Sequence, residues 1–316
     1  MNRQSLIIDC DPGVDDAVAL MLAFGAEEFE LLAVTTVGGN VPVEKTARNA
    51  RMLRQIAGLQ KPEREDVPVF MGAGEPLRRT LGTAAEFHGP EGTGDLEPFE
   101  PDAPVAEGHA ADAILALVNA RPAKSVALAV LGPLTNLALA LRKDLALAGR
   151  LRPVAVMGGA RSEGGNITAS AEFNIWADPE AAAEVLATEC DVVMFGLDAT
   201  HQVRATDERI AALEALKTPM GGTAAAMMRF SQAVERRIVG WDAPPVHDPC
   251  PVAWLLKPEL FVLQPCRIRV ETDSDLTRGH TAVEFREGVA GEPLRHRWAV
   301  SADADGVFSL IAEKCA

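Results

Sequence analysis

The chain has 316 residues with 48% hydrophobic and 24% charged content, enough to bury about three quarters of its unfolded surface without a disulfide or metal to hold it together. Its formal net charge of -15 would repel a phosphate backbone or an anionic membrane, so nucleic acid and membrane are poor partners and a small neutral ligand fits better.

Residues 5–8 form a short apolar run ending at Asp9, and an amphipathic helix is predicted over residues 15–24. The same strand-to-loop step recurs. Residues 31–37 run into Gly38-Gly39-Asn40 and a helix near residues 43–56, and residues 67–71 run into a glycine loop. Residues 126–131 run into Gly132-Pro133 and a helix from Leu134, residues 154–157 into Gly158-Gly159, and residues 192–195 into a further loop. Such units with intervening helices predict an α/β fold, an open and mostly parallel doubly wound sheet with helices on both faces. Beyond them, residues 205–239 read as mainly helix, residues 266–270 and 282–285 as late short strands, and residues 297–315 as a strand and closing helix. The glycine- and proline-rich stretch 72–104 is long for a connection and is expected to be a lid or binding loop, with an inert surface excursion as the alternative. No repeat or hydrophilic linker divides the chain, so residues 1–316 are read as one domain. The five cysteines, Cys10, Cys190, Cys250, Cys266 and Cys315, include no CxxC pair, which argues against a disulfide framework or thiolate zinc site and for a reducing, cytoplasmic compartment. Neither a secretory leader nor a long apolar run is found, so secretion and membrane insertion are not expected.

The stretch Asp9-Cys10-Asp11-Pro12-Gly13-Val14-Asp15-Asp16 sets four carboxylates within eight residues at the mouth of the first strand. Crowded carboxylates repel one another, and keeping several ionised in one concave site requires a cation. Hard oxygen ligands select Ca²⁺ or Mg²⁺ over zinc. A solvated acidic turn, with Asp15 and Asp16 facing the positive end of a helix, explains the same spacing. The other strand ends favour the first explanation. In open α/β sheets ligands bind beyond the carboxyl ends of the strands, and those ends carry Asn40, Gly132-Pro133, Gly158-Gly159 and the loop down to Asn174. Gly165-Asn166 with Glu172-Phe173-Asn174 offers amide and carboxylate groups suited to hydroxyls, and His247-Asp248-Pro249 sets an imidazole beside another hard-metal ligand. Met157 and Phe173 are candidates to line a pocket, although apolar residues after a strand are more often plain core.

These segments together resemble the inosine-uridine-preferring nucleoside hydrolases. The resemblance is carried by Asp9-x-Asp11-Pro12-Gly13-x-Asp15-Asp16-Ala17-Val18-Ala19, Gly38-Gly39-Asn40, His88-Gly89, Gly132-Pro133-Leu134-Thr135-Asn136, Met157-Gly158-Gly159, Glu172-Phe173-Asn174 and His247-Asp248-Pro249, in the family's order and across most of the chain. It implies hydrolysis of the N-glycosidic bond of a ribonucleoside to free base and ribose, one tightly held Ca²⁺, and a homodimer or homotetramer. Calcium ligation falls by this resemblance to the side chains of Asp11, Asp16 and Asp248 and the carbonyl of Leu131, which stands where the family more often has threonine. Asp15 and Asn174 are implied for the ribose 2′- and 3′-hydroxyls, Asn166 and Glu172 for the 5′-hydroxyl, and His88 for the face of the base. Cleavage at C1′ builds oxocarbenium character on the sugar. Asp11 is expected as general base toward a water activated at the calcium, with Asn40 steering water and carboxylate, and His247 as the acid that protonates the leaving base. Without the resemblance, a lone histidine before Asp-Pro reads as a structural hydrogen-bonder.

The chain contains no tyrosine, so the tyrosines that some members of the family place in the helix before the His-Asp-Pro segment cannot exist here. Counting back from His247, the facing positions fall near Ser231 and Glu235. A glutamate there suits an exocyclic amine or ring N–H, which leans the reading toward uridine or cytidine over inosine. Trp241 in place of the missing ring would reverse that lean. His109, His201, His280 and His296 match no functional position, and Asp303-Ala304-Asp305-Gly306 resembles part of an EF-hand loop but lacks its third acidic position and distal glutamate, and reads as a turn. Two other functions use the same residues. One is a haloacid-dehalogenase-like Mg²⁺-dependent phosphatase, since an Asp-x-Asp pair follows a first strand there too, although phosphate chemistry wants a balancing lysine. The other is a non-catalytic nucleoside- or ribose-binding protein on the same fold.

Overall fold

The computed structural model describes residues 3–289 and 293–316. Its strands are β1 (Gln4–Cys10), β2 (Phe29–Thr36), β3 (Val69–Met71), β4 (Val126–Val130), β5 (Val154–Met157), β6 (Val192–Phe195), β7 (Phe261–Val270), β8 (Thr281–Glu284) and β9 (His296–Ala302). The helices are α1 (Val14–Gly25), α2 (Val43–Gly58), α3 (Ala85–His88), α4 (Ala110–Asn119), α5 (Thr135–Lys143), α6 (Leu147–Arg150), α7 (Phe173–Ala177), α8 (Pro179–Leu186), α9 (Leu197–Thr200), α10 (Asp207–Glu214), α11 (Pro219–Ile238), α12 (Pro249–Leu256) and α13 (Ala304–Cys315). All nine strands join one sheet in the order β3-β2-β1-β4-β5-β6-β9-β7-β8. The run from β3 to β9 is parallel, and β7 and β8 close the far edge antiparallel. This is the open, mostly parallel α/β sheet that the strand-to-loop pattern predicts.

From β1 the chain steps outward to β2 and β3, then returns to β4 on the opposite side of β1 and winds away through β5 and β6. The reversal leaves a crevice at the carboxyl ends of β1 and β4, the usual ligand position in such sheets. Side chains alternate across the pleat. Leu6, Ile8 and Cys10 enter one core with α1, whereas Ile7 joins Leu128 and Val130 in the other. Because helices cover both faces, the central strands read as unbroken apolar runs instead of alternating ones.

Two local features depart from expectation, and a third, the expected binding loop, is held in place. Helix α1 is not amphipathic in place: only Asp15 of its residues escapes burial, because α2, α11, α12 and α13 pack around it. Asp303 does more than turn the chain, since its Oδ1 accepts from the Gly306 amide at 3.0 Å and caps α13. The stretch 72–104 contains only the single turn α3, and it is fastened down: Glu91 pairs with Lys45 at 2.7 Å and Arg48 at 2.8 Å, and Asn49 Nδ2 donates to the Glu91 carbonyl at 2.8 Å. Among the described residues no helix is long and apolar enough to cross a membrane.

Helix α1 has no basic residue in its last turn, and Arg64 supplies the missing donors from a distance. Its buried guanidinium donates to the carbonyls of Phe24 at 2.8 Å, Ala26 at 2.7 Å and Phe29 at 3.4 Å. Arg64→Met keeps the apolar stem but removes the buried side-chain donor of these carbonyls, and is expected to cost about 3 kcal/mol. The urea midpoint measures this; an unshifted midpoint would show that the helix end does not depend on Arg64.

Candidate active site

The acidic turn after β1 folds around backbone donors. Asp16, in the first turn of α1, accepts from the amides of Gly13 at 2.9 Å and Asp11 at 3.2 Å and from Asn40 Nδ2 at 3.1 Å. Asp11 Oδ2 accepts from the Asn40 amide at 2.7 Å, and Asn40 Nδ2 also donates to the Asp11 carbonyl at 3.1 Å. The Asp11 carboxylate lies between Gly39 and Gly132, and a Cβ on either would overlap its oxygens. This close approach explains both glycines. Asp9, still inside β1, is taken up by other donors, accepting from Thr35 Oγ1 at 2.6 Å and Asn136 Nδ2 at 2.8 Å. It therefore leaves the carboxylate cluster that its place in the sequence suggests.

A cavity of about 350 Å³ opens above this turn, within the range of small-molecule sites. Asp15, Asn40, His88, Leu131, Met157, Asn166, Glu172, Phe173, Asn174, His247 and Asp248 all line it, while Asp11 and Asp16 lie fully buried just behind its wall. Ligand atoms of Asp15, Asp16 and Asp248 come within 4.8 Å of one another, a group suited to a metal ion. Asp15 thus joins the tightest cluster, in the place where the resemblance puts Asp11. Burial pushes Asp11 and Asp248 well above the carboxylate range and Asp16 up to about 7, and repulsion from neighbouring carboxylates, Asp15 among them in each case, adds to it. Among the described residues no lysine or arginine forms an ion pair with any of the three, and Asp11 Oδ1 is buried without a hydrogen-bond partner.

The opposite wall is built from α7 and its approach. Glu172 caps α7, accepting from the amides of Asn174 at 2.8 Å, Ile175 at 3.2 Å and, across the cavity edge, Gly159 at 2.8 Å. Burial still holds its carboxyl up at about 7 despite these donors. Asn166 Oδ1 accepts from the Phe173 amide at 2.8 Å, which leaves its NH₂ for the cavity. Asn174 Nδ2 donates to the Leu131 carbonyl at 2.6 Å, and a second lone pair on that oxygen remains for another partner.

Imidazoles line the cavity as well. His88 Nδ1 accepts from the Val14 amide at 3.1 Å, so its proton sits on Nε2 and its 3.9 Å approach to Asp15 is not an ion pair. Burial lowers His88, and it lowers His247 further, to about 4. Ser231 and Glu235, where the count back from His247 falls, line the cavity, and so does Trp241. Glu235 Oε2 is buried without a partner, and Arg204 stacks on Trp241 at 4.2 Å. His201 and Glu163, which the sequence reading passed over, also line the cavity and pair at 3.1 Å. The signal that marks His201 is position: it closes the short helix α9, which follows β6 at another strand end.

Residues 6–309 match the family model described as inosine-uridine preferring nucleoside hydrolase. The pyrimidine-specific ribonucleoside hydrolase RihA of Shewanella woodyi is 39% identical over 98% of this chain and 96% of its own. The inosine-uridine preferring nucleoside hydrolase of Crithidia fasciculata is 38% identical over 98% and 96%. Among solved structures, the plant nucleoside hydrolase PpNRh1 superposes with a TM-score of 0.93 at 32% identity, covering 99% of both chains. The carboxylate turn, the roofed cavity and these matches over nearly the full length agree, and the chain belongs to the inosine-uridine preferring nucleoside hydrolase family.

Proposed function

We propose that the chain hydrolyses the N-glycosidic bond of ribonucleosides, releasing free base and ribose, with a calcium ion at the carboxylate cluster. The observation that carries this reading is the meeting of Asp15, Asp16 and Asp248 at one end of a cavity whose other walls hold amides and imidazoles. The residues fit a hard divalent cation, since every candidate donor is oxygen and the unpartnered Asp11 Oδ1 is buried where a cation would relieve it. Asp11, Asp16 and Asp248 with the Leu131 carbonyl are the ligands in this reading, and Asp15 stands within reach of the same position. When bound, the cation keeps these carboxylates ionised at neutral pH and acidifies a water beside them.

Asp11 then takes the proton of the attacking water, its carboxylate held in place by the Asn40 amide on Oδ2. Asp15 and Asn174 hold the 2′- and 3′-hydroxyls, and Asn166 and Glu172 the 5′-hydroxyl, while negative charge under the ring stabilises the developing oxocarbenium. Met157 and Phe173 supply apolar wall, and His88 offers Nε2–H toward the base. His247 is the donor to the departing base. Because burial keeps its ring neutral at physiological pH, its help is better described as an N–H hydrogen bond that strengthens as charge builds on the base than as outright protonation. Pyrimidine preference is supported by the unpartnered Glu235 carboxylate at the base end and opposed by Trp241 beside it. Residues 1–316 form one domain in this reading, supported by the single sheet, and act in the cytoplasm as a homodimer or homotetramer; five buried, unpaired cysteines are consistent with a reducing compartment. Family membership removes the support for the phosphatase.

A reducing-sugar assay on uridine, cytidine, inosine, adenosine and guanosine, with and without chelator, is expected to show ribose release that chelation abolishes and Ca²⁺ restores, pyrimidines leading. Turnover indifferent to chelator would remove the metal, and binding without release on all five would favour the silent binding protein. Asp11→Ala is expected to lower kcat by at least about 10³-fold on every substrate. His247→Ala is expected to lose about 10²-fold or more on a natural nucleoside and much less on nitrophenyl riboside, whose leaving group needs no donor. Equal losses on both substrates would end the case for His247 at the base.

A further inference from the structure

His247 is held by a residue that carries no motif. Thr200, the last residue of α9, is fully buried, and its Oγ1 lies 2.8 Å from His247 Nδ1. That contact is the only hydrogen bond of this hydroxyl among the described residues. The carbonyl of Gly196, one turn back and the ordinary acceptor for a helical threonine, is engaged by the amides of Ala199 and Thr200, both at 3.1 Å.

A neutral imidazole carries one N–H, on either nitrogen. Were it on Nδ1, the threonine would accept, and its own proton would be left buried with no acceptor, which folded interiors avoid. With the proton on Nε2, the hydroxyl donates to the bare Nδ1 and the pair is satisfied. Nε2–H is then left for the cavity that His247 lines, where no group of the described residues meets it. The next residue, His201, sets its ring 5.8 Å from that of His247, and its own Nδ1 is tied to Glu163 at 3.1 Å. The His247 ring is therefore fixed in direction by Thr200 and braced by His201.

We infer that Thr200 is a positioning residue whose hydroxyl locks His247 in the tautomer that presents Nε2–H to the departing base. The inference rests on the reading of His247 as the donor to that base. A partner that fixes an imidazole's tautomer is a recurrent device in catalysis, acting through the ring without touching substrate.

Thr200→Val removes the hydroxyl at nearly constant volume, and Thr200→Ser keeps it. Long-range ¹H–¹⁵N correlation spectra of the calcium-loaded, ¹⁵N-histidine-labelled protein read the tautomer directly. The wild type and Thr200→Ser are expected to show His247 with Nε2 protonated and Nδ1 accepting, and Thr200→Val a mixture of both tautomers. In turnover, Thr200→Val is expected to lose about ten- to a hundredfold in kcat on a natural nucleoside with KM little changed, and far less on nitrophenyl riboside. Thr200→Ser should recover most of the loss. If Thr200→Val proves poorly folded, wild type and Thr200→Ser still decide by the spectrum, because Nδ1 protonated in either overturns the inference. An unchanged tautomer in folded Thr200→Val, or equal losses on both substrates, also overturns it. Should His247→Ala itself lose both substrates equally, the donor reading fails while the spectrum still reports whether Thr200 sets the tautomer.

Discussion

Negative charge withdrawn from water at the mouth of β1 is what the surrounding structure is built to contain. Asp11, Asp16 and Asp248 are buried and lie within electrostatic reach of one another and of Asp15, and at low effective dielectric such neighbours repel strongly. The chain answers with dipoles instead of full charges: amides of Gly13, Asp11 and Asn40 and the Asn40 side chain point at the carboxylates. Dipoles hold the oxygens in place yet leave their charge unbalanced, which is the condition of a cation site and not of a buried ion pair. The glycines at 39 and 132 follow from the same requirement, since only a bare backbone lets Asp11 sit so close to two neighbouring strand ends.

The site divides into a floor and walls with different mechanical character. Its floor belongs to β1 and to α1, a helix closed in on nearly every side, and Asp248 arrives from the start of α12, which packs on α1. The walls come from less central pieces: the segment carrying α3, the approach to α7, and the exposed end of α11. His88 links the two, because the Val14 amide at the head of α1 fixes the tautomer of a ring that belongs to the roof.

Much of this was legible in the sequence because its signals are local. Apolar runs that end in glycine or asparagine mark parallel strands and their carboxyl ends, and the carboxylates after β1, Asn40 after β2 and the loop from β5 down to Asn174 follow such ends, whereas the His-Asp-Pro segment between α11 and α12 was marked by its residue types. What was not legible depends on packing. The burial of α1 is decided by helices more than 190 residues away in the chain, and no periodicity within residues 15–24 reports them. Asp9 looks like a fourth member of the acidic cluster, but it lies inside β1, where Thr35 of the neighbouring strand and Asn136 receive it. Glu172 reads as a ligand-binding carboxylate and is also an N-cap, a double use that appears only once α7 exists. Thr200 and His201 follow a strand as the other site residues do, yet threonine and histidine in a short helix carry no distinctive pattern, and their value lies in a contact with a residue 47 positions away.

The enclosure of α1 has a consequence for how such proteins diversify. A floor embedded in the core cannot change without disturbing the core, so the chemistry at the sugar is effectively inherited as a unit with the fold. The walls, borne on loops and on the exposed end of a helix, are free to drift. Relatives described as pyrimidine-specific and as inosine-uridine preferring, each nearly two-fifths identical to this chain, are the outcome expected of that arrangement: one way of breaking the bond, with the choice of base left to the parts of the molecule that can afford to vary.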